Sequence, residues 1–157
     1  MLRNLVLCWL LAASSLSFAQ SNIGNVLMTP KPEPLAAKAG SAVEFKLPLQ
    51  LREGYHINTN MPPDPYLIPL RLTWDAGPLT VSEVVYPKPS LLKVEFFPAP
   101  LPVFSGRFEL ITRFRVAASA QPGLVNVPGK LRYQACNDRM CLPPKTIDLT
   151  LPVSVSR

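Results

Sequence analysis

Cys136 and Cys141 are the residues of this sequence best suited to chemistry. Four residues lie between them in "YQACNDRMCLPP" (residues 133–144). Thiols at that spacing can close a disulfide, exchange with another protein's thiols, or help ligate a metal. A third cysteine, Cys8, lies inside an apolar run at the N-terminus, with no cleavage pattern before it that would suit lipid attachment. Two cysteines and the single histidine, His56, fall short of a closed four-ligand zinc site unless a carboxylate joins them. Met61 and Met140 could complete a soft copper(I) site, but nothing in the spacing brings them together, so no metal is expected. His56, in "GYHINTN", is expected to be structural or a loop residue. The sequence contains no G-x-S-x-G elbow, phosphate-binding glycine loop or close carboxylate pair. Hydrolase and nucleotide-binding activities therefore find no support.

The compartment decides what the thiols can do. Arg3 precedes an unbroken apolar run over residues 5–13, and Ser17-Phe18-Ala19 supplies a small-x-small cleavage pattern. This predicts a secretory signal removed after Ala19, too short to span a bilayer. It leaves 138 residues, enough for one domain with a sizeable core. Prolines interrupt every later apolar run, so no membrane insertion is expected after cleavage. A soluble chain outside the cytoplasm meets conditions in which disulfides form. Net charge is +6, or +5 once Arg3 is removed. The basic residues are scattered and not interleaved with aromatics, which argues against nucleic-acid binding.

Proline and glycine together make 26 of 157 residues, about 17%, below the roughly 25–30% of low-complexity chains. This proline density does exclude long helices. Apolar residues alternate at period two in four segments. Val43, Phe45, Leu47, Leu49 and Leu51 form one such face, and Ile68, Leu70, Leu72 and Trp74 a second. Phe108, Leu110, Phe114 and Val116 form a third, and Ile147, Leu149, Leu151 and Val153 a fourth. Such faces predict half-buried strands. Pro48 places its strand at an edge or a bulge. Weaker strands are expected at residues 25–28, 81–86 and 124–135, with Pro128-Gly129 as a candidate break. Residues 28–38, with three prolines, suit an extended entry strand or arm. Seven or eight short strands between turn signals predict an all-β, immunoglobulin-like antiparallel β-sandwich.

Between strands of residues 131–135 and 146–153, the cysteines are expected to flank a hairpin loop. Residues so placed have Cα atoms about 4.5–5.5 Å apart, inside the roughly 4.4–6.8 Å that a disulfide spans. Strand parity would turn Cys136 to the polar side, and Pro143-Pro144 leaves the direction of Cys141 open. Closing so small a loop stabilises a fold by only about 2 kcal/mol, and the usual immunoglobulin bridge links the two sheets instead. A structural hairpin disulfide in a non-enzymatic interaction module and a working redox pair both remain open. Within the loop, Arg139 would favour a thiolate and Asp138 would oppose it. Upstream, "SLLKVEFFPAPLPVF" sets Phe96, Phe97, Leu101 and Phe104 among prolines. It is either a stiffened crossover with core aromatics or an apolar flap over something reactive.

The stretch "YQACNDRMCLPP" resembles the Tyr-Gln-x-Cys…Cys-x-Pro-Pro signature of the N-terminal periplasmic domain of the thiol:disulfide interchange protein DsbD. "GYHINTN…PYLIP" is similar to a segment of its relatives, and the resemblance spans residues 25–155. It implies an immunoglobulin-like sandwich whose cysteine pair carries electrons and needs no cofactor. Cys141 would form the mixed disulfide and Cys136 would resolve it. "VEFFP" matches the loop that caps the pair, making Phe96, then Phe97, the shielding residue. Glu95 matches an acidic residue that tunes the cysteines, and Tyr133 is implied as a further tuning residue.

The sequence departs from the family pattern in three respects. The cysteine spacing is four where the well-known enterobacterial member has five, and Val94 replaces a second acidic residue. The membrane electron-carrying domain and the C-terminal thioredoxin-like domain of the family are not expected within these 157 residues. The implied partners are thioredoxin-like periplasmic proteins or a separate DsbD/CcdA-type membrane electron donor. The implied acceptors are oxidised proteins such as a disulfide isomerase or cytochrome c maturation factors. A monomer is expected.

Overall fold

Alternating apolar and polar side chains become strands through most of the chain. The computed structural model describes residues 25–95 and 97–157; the expected signal sequence and Phe96 lie outside them. Twelve strands follow in order: β1 (Leu27–Met28), β2 (Leu35–Lys38), β3 (Ala42–Leu51), β4 (His56–Asn58), β5 (Arg71–Trp74), β6 (Leu79–Val85), β7 (Ser90–Leu92), β8 (Leu101–Ser105), β9 (Arg107–Val116), β10 (Gly123–Tyr133), β11 (Ala135–Cys136) and β12 (Lys145–Ser156). They form three four-stranded ladders, β1-β3-β9-β6, β2-β12-β10-β5 and β11-β4-β8-β7. All pairings are antiparallel except that of β2 with β12.

The first two ladders make the sandwich. Phe45, Leu47 and Leu49 of β3 and Leu110 and Phe114 of β9 share one core with Val127 and Leu131 of β10 and Leu151 and Val153 of β12. Trp74 links the layers. Its ring packs edge-on to Phe45 and Phe114, both at 5.6 Å, and its indole N–H donates to Thr112 Oγ1 at 3.0 Å. Thr112 is the polar residue in the apolar face of β9, and this bond satisfies it inside the core.

Proline and glycine have positional reasons. Leu51 donates its N–H toward β9, to the Gly106 carbonyl at 2.8 Å, and Arg52 donates the other way, to Val26 at 2.9 Å. Alternation puts the nitrogen of Pro48 on the β1 side. There β1 reaches only Gln50 and Leu51, so no ladder bond is lost. The anticipated break at Pro128-Gly129 does not occur, because β10 pairs with β12 without interruption from Gly123 to Tyr133. Gly129 is required there by Trp74: a Cβ would meet its Cε3 at 2.4 Å. The strand expected to include Ile68 and Leu70 starts only at Arg71. The count exceeds seven or eight because short strands build the third ladder, whose Ile57 and Phe104 join the same core.

Candidate functional site

The third ladder holds the cysteine pair, and non-local pairing puts it there. Strands β10 and β12 stay paired down to Tyr133 and Lys145. The chain then leaves that sheet at Gln134, and Ala135 and Cys136 pair instead with Ile57 and His56 of β4. Cys136 also bridges Cys141 on its other side, and His56 pairs onward with Ser105 of β8. Cys141, Cys136, His56 and Ser105 therefore form a row across the sheet. Residues directly opposite in a ladder project from the same face. In the adjacent row, Leu142, Ala135, Ile57 and Phe104 all enter the main core, so the cysteine row points to the outer face.

That register keeps the parity expected for Cys136 but not the accessibility that a polar-side position would give it. Leu131, Tyr133 and Ala135 all stay in the core through the change of partner at Gln134, so Cys136 keeps the outward facing of a regular strand, and what differs is its exposure. Cys136 is 4% exposed, and Cys141 is exposed. The two are joined by a disulfide with Cα atoms 3.9 Å apart. This is closer than the roughly 4.5–5.5 Å of a regular ladder, at an isolated bridge. The expected four-residue loop is present but belongs to a small hairpin of the third ladder, not to a simple β10–β12 hairpin. Leu142 donates its N–H to the Ala135 carbonyl at 2.8 Å, and Gln134 Nε2 donates to the Leu142 carbonyl at 3.0 Å, tying its base. At the tip, Asn137 Oδ1 accepts the N–H groups of Arg139 and Met140, each at 2.9 Å. This side-chain turn leaves Asp138, Arg139 and Met140 exposed beside Cys141.

A cleft of about 520 Å³ adjoins the row, lined by His56, Ser105, Lys93, Glu95 and Asp138 among others. One wall is the segment after β7. Val94, Leu101 and Val103 form a small separate core there, with Leu67, Leu92 and Phe97 packed against it. Phe97 is half-buried and donates its N–H to the Val94 carbonyl at 3.2 Å. Val94, apolar where the related loop is acidic, is the buried anchor of this wall, while Glu95 faces outward. Glu95 and Asp138 thus meet at one cleft. Tyr133 does not join them: it is buried in the main core, with a hydrogen bond to the Leu27 backbone. Burial raises its phenol above the usual range, with the Leu27 bond opposing.

His56 is 8% exposed, and burial holds its imidazole below the ordinary value of 6.5. It stands at neutral pH as an uncharged base beside a buried cysteine. Sequence reading missed this neighbour, because residues 56 and 136 meet only through the β4–β11 pairing. Ser105 was missed for the same reason. Asn137 did carry a signal, since an asparagine opening a short loop favours a side-chain turn.

An all-β sandwich that carries a disulfide at a hairpin tip, one cysteine buried and the other exposed, defines a class of cysteine-pair β-sandwich domains. The chain belongs to the family "thiol:disulfide interchange protein DsbD, N-terminal", which matches residues 25–152. Among solved structures it is similar to the N-terminal periplasmic domain of ScsB from Proteus mirabilis, at 16% identity and a TM-score of 0.53. That likeness covers 80% of this chain and 44% of the other, and it concerns the fold. A cohesin–dockerin complex from Clostridium thermocellum matches at 13% identity over 84% of this chain and 100% of the other, with a TM-score of 0.42. No curated protein matches the sequence. Among the described residues no helix is long and apolar enough to cross a membrane.

Proposed function

We propose that the chain is a periplasmic thiol–disulfide exchange module that passes electrons through Cys136 and Cys141 to or from thioredoxin-fold proteins. The observation that carries this reading is the unequal exposure of the two cysteines on one hairpin. In the reduced form, the Cys141 thiolate attacks a partner's disulfide, forms a mixed disulfide and expels one partner thiolate. Cys136 then attacks Cys141, restores the internal disulfide and releases the second partner thiolate. Two electrons pass to the partner, and each sulfur ends with its valence satisfied. A buried resolving cysteine is kept from reacting with other disulfides, while an open one can reach a partner.

Family membership supports the same chemistry, and the wall bearing Glu95 and Phe97 suits a cap over the pair. In this reading Phe96 and Phe97 restrict access until a partner moves the segment. Glu95, Asp138 and Arg139 set the charge around the exposed Cys141. Electrons come from a thioredoxin-like protein or a separate membrane donor, and no cofactor takes part.

Cys136→Ala should trap a covalent adduct through Cys141 with a thioredoxin-fold partner, seen as a band shift that reductant abolishes. Redox titration of the parent protein with thiol alkylation should place the pair nearer about −200 mV than the region below about −300 mV typical of structural bridges. Absence of any adduct, together with a potential in that lower region, would overturn the reading and leave a structural staple.

A further inference from the structure

His56 is the single histidine of the chain, and it is the cross-strand neighbour of Cys136. Directly opposed residues in an antiparallel pair hold their Cβ atoms about 4.5–5.5 Å apart on one face. Both residues are buried, at 8% and 4% exposure, and neither belongs to the main core. Polar groups so placed need a reason. The exchange cycle has an unmet need at the same point. A thiol in apolar surroundings holds its proton more tightly, yet only the thiolate can attack a disulfide.

We infer that His56 accepts the proton of the reduced Cys136 thiol and so makes the buried cysteine the nucleophile that resolves the mixed disulfide on Cys141. This rests on the exchange reading above. The Cys136 S–H bond breaks toward the imidazole, and the resulting thiolate forms a bond to Cys141 Sγ. The bond between Cys141 and the partner breaks, and its electron pair leaves on the partner's sulfur. The imidazolium then returns its proton to that thiolate or to water in the cleft that His56 lines. Five polar or ionisable groups neighbour His56 in the ladder, in sequence or along the cleft. Cys136 lies across β11 and Tyr55 precedes it in its own turn; Asp138 lines the cleft from the hairpin tip, and Lys93 and Glu95 from the segment after β7. The two carboxylates favour the transient imidazolium, and Lys93 opposes it. Burial keeps the resting imidazole neutral, which is the form that can take a proton.

The test is rapid mixing of the reduced protein with one equivalent of 5,5′-dithiobis(2-nitrobenzoate). The first release of thionitrobenzoate reports attack by Cys141, and the second reports resolution by Cys136. In His56→Gln the second phase should slow about tenfold or more at pH 7, while the first stays within about twofold. The parent's second phase should level off by about pH 7, whereas the variant's should keep rising through about pH 8.5, as for an unassisted thiol. An unchanged second phase and pH profile in the variant would overturn the assignment while leaving the exchange reading intact. No first phase in the parent protein would overturn both. Should the variant fold poorly, the parent still decides. Its one set of histidine resonances should titrate with different midpoints in the disulfide and dithiol forms, and identical midpoints would refute the pairing.

Discussion

Cys136 and Cys141 differ in surroundings rather than in kind. Cys136 lies behind its own hairpin, between His56 and the bridge, whereas Cys141 stands at the open end of the row beside the loop tip. Access should therefore separate their reactivity once the bond is removed. In Cys136→Ala, the Cys141 thiol should react with iodoacetamide at pH 7 at least about tenfold faster than Cys136 does in Cys141→Ala. Mass spectrometry of timed samples reads both rates, and equal rates would contradict the burial difference. Tyr133 shows the opposite relation of sequence position to site. It lies three residues before Cys136, yet strand alternation commits it to the core and to the Leu27 backbone.

At the scale of elements, two local arrangements set where the site stands. The first is the contact of β10 with β5, where Gly129 lies under the ring of Trp74. Gly129→Ala would push a methyl group into that ring and disturb its packing on Phe45 and Phe114. The expected cost is about 1–3 kcal/mol, read as a lower midpoint in a denaturant melt. The second is the break at Gln134, which moves two residues out of the sandwich ladder into pairing with β4. Period-two faces made three of the long strands legible, since β3, β9 and β12 each alternate over ten or more residues, whereas β10 gave a weaker signal with a candidate break. Short strands such as β4, β7 and β11, at two or three residues each, carry too few side chains for a period to show. Two of them, β4 and β11, hold His56 and Cys136 of the cysteine row.

For the whole molecule, the disulfide is peripheral to what holds the fold together. The main core runs through both sandwich ladders and includes neither cysteine. The bridge spans a sequence separation of five, so on loop entropy it adds only about 2 kcal/mol. Reduced protein should remain folded, with unfolding free energy lower by about 2 kcal/mol and an unchanged denaturant slope. Urea melts of the oxidised and reduced forms measure this directly. Collapse on reduction would mean that the bridge acts as a staple, and a reversible thiol pair could not then work in a standing fold.

The sequence by itself determined the sandwich class, the long strands and the cysteine hairpin, because alternation, turn residues and a four-residue spacing are all local signals. It also carried the family signature, which lies within twelve consecutive residues. Which cysteine is exposed, that Glu95 and Asp138 share a cleft, and that His56 stands opposite Cys136 follow from the folded arrangement alone. Each of these depends on which strand pairs with which and in what register. At Gln134 the chain changes pairing partner while its alternation continues, so parity predicts the facing of Cys136 but not its burial. Burial and neighbour identity are properties of that pairing, and no spacing within one segment encodes it.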